Sequence, residues 1–148
     1  TGRNVLRSTS VERRLVNGVR GSLKNTDDEW AFWGKNDSIA VTIDVGVRKK
    51  LGKVSLGYLN HFGLGIHKPQ RVEVWLSDND VHYWKATEQT FGTDEIFAEG
   101  RFTEEMEFVF KDVARYVRVI MKGAGKCPEH HVRPGLETQI YLDEVLIE

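Results

Sequence analysis

The sequence predicts an all-β domain, an antiparallel β-sandwich of the jelly-roll type. Three observations predict it. Apolar residues alternate with polar ones in short runs, which is the period of a strand with one buried face. No segment sustains the i, i+3, i+4 apolar spacing of an amphipathic helix. The extended runs recur at short intervals with turn residues between them, and no internal repeat is visible.

The clearest strand is Ser38–Gly46, where Ile39, Val41, Ile43 and Val45 alternate with Ala40, Thr42 and Asp44. β-Branched residues on one face favour a pleated surface, and Gly46 is expected to end the strand. Upstream, Asn17-Gly18-Val19-Arg20-Gly21-Ser22 has the chemistry of a tight loop. Between loop and strand, Asp27-Asp28-Glu29 precedes the aromatics Trp30, Phe32 and Trp33. The first segment, Thr1–Arg14, fits a short strand or a lead-in equally well.

Downstream, Arg48-Lys49-Lys50 reads as a solvated turn and Lys53–Phe62 as a strand. Asn60–Pro69 is a loop with two glycines, two histidines and a phenylalanine. Arg71–Ser77 alternates strictly, with Val72, Val74 and Leu76 on one side. Asp78-Asn79-Asp80 marks a turn, and His82-Tyr83-Trp84 resumes an extended chain. Thr87–Thr103 is polar and is expected to cover a sheet edge. Glu105–Lys111 points Met106, Phe108 and Phe110 inward, and Ala114–Lys122 does so with Val117, Val119 and Met121. Gly123–Leu136 is a long irregular loop, and Thr138–Glu148 is the closing strand. Its alternation slips between Leu142 and Val145, which predicts a bulge or bend.

A chain of 148 residues is expected to form one domain with a real core. Its 21 basic and 22 acidic residues give a net charge of −1. That balance argues against nucleic acid, which needs a basic excess on one face, and against adhesion to acidic lipid by charge. No apolar run has the length of a membrane span. The first residues, Thr1-Gly2-Arg3-Asn4, lack a hydrophobic signal core and read as the start of an excised fragment. Cys127 is the only cysteine, so no internal disulfide forms.

The order of motifs resembles the discoidin, or coagulation factor C-type, domain. Leu15-Val16-Asn17-Gly18, then Trp30, then Val41-Thr42-Ile43-Asp44-Val45-Gly46 follow its pattern. The match continues through Pro69–Ser77 and ends in Ile140-Tyr141-Leu142-Asp143-Glu144-Val145. The tail with Cys127-Pro128-Glu129-His130-His131 and Pro134-Gly135 is similar to the module at the C-terminus of bacterial β-hexosaminidases and related glycoside hydrolases. Bacterial members of this family overlap the family 32 carbohydrate-binding modules. The resemblance therefore implies a discoidin-like jelly roll and a non-catalytic accessory module of a secreted, periplasmic or cell-surface protein. Its implied partners are galactose- or N-acetylhexosamine-type glycans and a parent catalytic domain.

The same resemblance implies a structural calcium where an early loop meets the last strand. Position by position, its ligands would be the carbonyls of Arg14, Val19 and Asp143 with side-chain oxygens of Asn17, Ser22 and Glu144. Calcium takes six to eight such oxygens. Asn17 stands where the family pattern has Asp, one negative charge fewer, and an Asn-Gly turn capping its own backbone is the other reading.

Sugar recognition needs an aromatic face for ring C–H groups and planar polar groups for hydroxyls. The loop residues that offer them are Trp33, His61, Phe62, His67, Glu129, His130 and His131. Trp30, Phe32 and Trp75 are instead expected in the core or between the sheets. Cys127, His130 and His131 also suit zinc, but a fourth ligand from a paired motif is missing, so a loop packed on the sandwich end is expected. No nucleophile motif, phosphate-cradling glycine loop or zinc-protease helix is present. Two rivals to glycan binding are a purely structural module packed on its parent enzyme and a lipid or protein adhesion module.

Overall fold

The protein is described from a computed structural model, which describes residues 5–6, 21–23, 31–33 and 38–148, with only the backbone at residues 5, 6, 32 and 33. Among the described residues seven strands follow in order: β1 (Val5–Leu6), β2 (Ala31–Trp33), β3 (Ser38–His61), β4 (Arg71–Ser77), β5 (Trp84–Thr90), β6 (Arg101–Lys122) and β7 (Ile140–Ile147). A four-residue helix, α1 (Thr93–Ile96), lies between β5 and β6. All strand pairs are antiparallel.

Two strands are far longer than the usual five or six residues. β3 has 24 residues and β6 has 22. They pair along nearly their whole length, from Ser38 opposite Lys122 to His61 opposite Arg101. The ladder shifts register between Asp44 and Lys49 and again between Leu51 and Lys53. These shifts bend both strands so that each serves two layers. In the first layer the order is β1, the first half of β3, the second half of β6, β4 and β5. In the second it is β2, β7, the second half of β3 and the first half of β6.

Among the described residues one large core cluster fills the space between them, and Leu59, Ile66 and Tyr141 form a smaller one. Val41, Ile43, Val74, Leu76, Val117 and Val119 from the first layer cluster with Val54, Leu56, Phe108, Leu142 and Val145 from the second. These are the residues that the period of two assigns inward. The architecture is the predicted all-β antiparallel sandwich.

Three local expectations need correction. Gly46 does not end its strand: it takes φ +100° at the bend, and Arg48-Lys49-Lys50 continue β3 opposite Ala114 and Val113 rather than forming a free turn. A glycine reads as a stop locally, but a partner strand was waiting on the far side. Asp44 secures the bend, accepting the Gly46 N–H at 2.8 Å and a two-pronged Arg115 guanidinium at 2.8 and 2.9 Å. Trp75 is not in the core. It is half-buried on the outer face of β4, opposite Arg118 and Lys85, because Val72, Val74 and Leu76 already occupy the inner register. Phe32 and Trp33 pair by backbone with Tyr141 and Ile140, and Trp30 lies outside the described residues.

The expected slip in the last strand is present. Gly57 faces Glu144 while Tyr58 faces Leu142, leaving Asp143 as the extra residue. The segment 87–103 covers the edge as expected, partly as strand β5, which flanks β4.

Two substitutions test this account in thermal or urea unfolding. Leu56→Ala empties a fully buried position and should cost about 2–5 kcal/mol. At Gly46 an added Cβ meets nothing within 4 Å, so Gly46→Ala should cost only the backbone strain of positive φ, about 1 kcal/mol.

Candidate functional site

At the end of β3 the chain makes a 3-10 turn over Phe62–Leu64 and passes through Gly65 at φ +70°. Ile66 then bonds back to His61 in both directions, at 2.8 and 3.1 Å, and His67 N–H reaches Gln139 C=O at 3.0 Å. The long loop 123–139 closes on the same place. Its Cys127 N–H bonds Leu136 C=O at 2.7 Å, and Arg133 Nε bonds Gly63 C=O at 2.6 Å. Two loops far apart in sequence are thus laced into one end of the sandwich.

Inside this end runs a chain of polar groups whose direction is fixed from both sides. The Asn60 amide faces the carbonyls of Ala98 and Gly100, each at 3.0 Å. Carbonyls only accept, so the NH2 of Asn60 points there and its Oδ1 points to His67 Nδ1, 3.0 Å away. His67 therefore carries its proton on Nδ1. At the other end the Arg133 N–H donates to His131 Nδ1 at 2.9 Å, which places the His131 proton on Nε2. The two rings then meet Nε2 to Nε2 at 3.0 Å, one donating and one accepting. Both ends demand the same answer in the middle.

That arrangement holds only for two neutral imidazoles, because a second proton would set N–H against N–H. Burial is the first cause that lowers the His67 pKa, to about 4, and the neighbouring His131 is the second. His131 is also held below its ordinary value, by burial first and then by His130 and Arg133. Both side chains are enclosed, at 1% and 4% exposure. Phe62 lies over the His131 ring with centroids 4.0 Å apart, and Phe97 meets His67 edge-on at 5.1 Å.

The residues proposed for sugar contact therefore separate by depth. His67 and His131 lie inside, with their ring nitrogens engaged by each other and by Asn60 and Arg133. His61 and Phe62 are half-buried, while Glu129 and His130 are exposed. Trp33 is in β2, opposite Ile140. Asn60, Phe97 and Arg133 are the members that sequence reasoning missed. The faint signal for Asn60 was a polar residue at the inner end of a strand.

Of the oxygens proposed for calcium, Arg14, Asn17 and Val19 lie outside the described residues. Ser22 is exposed, and Asp143 and Glu144 are buried at 2% and 4% exposure on the bulge of β7. Asp143 Oδ2 accepts the Gly21 N–H at 2.9 Å, which joins the early loop to the last strand. The expected contribution of Asp143 is its carbonyl oxygen and that of Glu144 its carboxylate, both hard donors of the kind that calcium takes.

No family model and no curated protein matches the chain. Solved structures do. The family 32 carbohydrate-binding module of AlyQ, solved with 4,5-unsaturated mannuronic acid, superposes with a TM-score of 0.60 at 14% identity, covering 98% of this chain and 92% of that one. The fold is that of the discoidin-like carbohydrate-binding modules. The CpGH89CBM32-5 module from Clostridium perfringens, solved with GalNAc-β-1,3-galactose, gives a TM-score of 0.56 at 13% identity, over 91% of this chain and 81% of that one. The C-terminal domain of a chitobiase from Bacteroides fragilis gives 0.54 at 13% identity, over 92% and 78%.

The neutral pair makes stability depend on pH with a definite sign. The unfolded chain binds protons at His67 near its ordinary value of 6.5, and the folded chain only near 4. Stability is thus whole above about 6.5 and is lost as pH falls toward 4. In chelator-treated protein, lowering the pH from about 7 to about 5 should remove about 2 kcal/mol through His67. Urea unfolding at the two pH values checks this. His67→Phe should flatten the dependence, and an equal slope in that variant would contradict the assignment.

Proposed function

We propose that the chain is a non-catalytic carbohydrate-binding module of a secreted bacterial glycoside hydrolase, taking glycans weakly at the loop end of the sandwich. One observation carries this reading: sugar-binding modules of the same fold align with more than nine-tenths of the chain. The ligands they were solved with, an N-acetylgalactosamine disaccharide and an unsaturated uronic acid, differ in charge and ring substitution. The fold therefore leaves the sugar to the loops. Here the exposed Glu129 and His130 offer planar hydrogen-bonding groups beside the half-buried Phe62 and His61. Trp33, in β2, is the candidate aromatic from the neighbouring segment. The buried His67 and His131 act beneath this rim by holding Phe62 and the 123–139 loop.

A platform with few hydrogen bonds gives millimolar to high-micromolar affinity, about −4 to −6 kcal/mol. Calorimetry against galactose, N-acetylglucosamine and N-acetylgalactosamine, with a glycan array beside it, tests the reading. Binding by one of these sugars is expected, weakened at least several-fold by Glu129→Ala or His130→Ala without loss of folding. A folded protein silent toward the whole array would point instead to a module that only packs on its parent.

We further propose a structural calcium held by Asp143, Glu144 and Ser22 with Arg14, Asn17 and Val19. It would pin the early loop to β7 by charge, in the place where the Gly21–Asp143 hydrogen bond already joins them. Calcium added to chelator-treated protein should raise the melting temperature, and Glu144→Gln should shrink that rise. An unchanged melting temperature would rule out the ion.

A further inference from the structure

We propose that His67, Cys127 and His131 form a binding site for one thiophilic transition-metal ion of the zinc class. The ligand atoms of these three residues lie within 4.8 Å of one another, and all three side chains are buried. Spacing along the chain pointed to Cys127, His130 and His131 as one loop's worth of ligands. The fold instead leaves His130 exposed and brings His67 in from the turn after β3. The paired segment that sequence reading found missing is that turn.

The donors suit this class of ion and no hard one. Thiolate and neutral imidazole bind zinc and its neighbours, whereas calcium takes oxygens. The outer contacts suit it as well. A metal-bound imidazole is normally oriented by a hydrogen bond from its other nitrogen, and His67 Nδ1–H already donates to Asn60, itself fixed by two carbonyls. Gly65 closes over the sulfur: a Cβ there would stand 3.5 Å from Cys127 Sγ and 3.1 Å from Leu136 Cδ2. Three protein ligands leave the fourth tetrahedral position to a water molecule.

Loading has a defined proton balance. The Cys127 thiol loses its proton to solvent as the metal–sulfur bond forms. His67 already presents a bare Nε2. His131 must move its proton from Nε2 to Nδ1, with no net gain or loss, and so gives up the Arg133 N–H bond. The Arg133 backbone N–H thereby loses its acceptor, and the loop backbone must shift for it to find another. One proton is released per ion, and the loop carrying Glu129 and His130 becomes tied to the end of β3 by coordinate bonds.

Cobalt(II) is the probe, because it takes zinc sites and reports sulfur ligation by a near-ultraviolet charge-transfer band. Titrating chelator-treated protein should develop that band to saturation at one equivalent, and zinc should bleach it. Cys127→Ser should abolish the band and His67→Gln should weaken binding at least ten-fold. As a readout that needs no variant, histidine ring nitrogen NMR of the wild-type chain with zinc should move the Nε2 signals of His67 and His131, and amide exchange at Arg133 should quicken. Absence of the band with unmoved ring signals would overturn the site. So would a band that depends on His130 rather than His67.

Discussion

The structure depends on the pairing of β3 with β6. Because these two strands stay hydrogen-bonded through both layers, neither sheet can shift against the other without breaking a shared ladder. The bend that makes this work is small: one glycine with positive φ and one carboxylate that ties the glycine's N–H to an arginine of the partner strand. A buried apolar face on each half then supplies the driving force, and the two halves meet in one core. The end of β3 is thereby fixed relative to β7, and Asn60, His61 and the turn beyond them inherit that fixed position.

On this frame the loop end is held from within by polar contacts as well as by apolar ones such as Leu59, Ile66 and Tyr141. Buried polar groups are costly unless each is matched, and the Asn60–His67–His131–Arg133 chain matches every member in one direction. A network of that kind admits few alternatives. It ties down the 17-residue loop 123–139 from within, with Phe62 and Phe97 packed on the imidazoles. It also divides labour between neighbours, since His131 faces inward while His130, one residue earlier, faces out.

The sandwich was legible in the sequence because a period of two records burial directly. Val72, Val74 and Leu76 alternate with residues on the other face, and the slip after Leu142 recorded the bulge at Asp143. Strand length was not legible, since Gly46 and the three basic residues after it look like a turn until the partner strand is known. Trp75 was legible only in part, since the alternation puts it on the face opposite Val72, Val74 and Leu76 while its size suggests a core. At the site, the identities of His67 and His131 were readable but their depth was not. Burial of a histidine depends on what closes over it, and here the lids, Phe97 and the 123–139 loop, come from other parts of the chain.

The account's central claim is that the loop end, braced by this inner network, is the face that meets a glycan. Backbone chemical-shift mapping during titration with N-acetylgalactosamine or galactose tests it most directly. The account predicts shifts concentrated at residues 61–63 and 128–133, with the outer face of β4 around Trp75 unmoved. Shifts gathered on that sheet face, with the loop end silent, would contradict it.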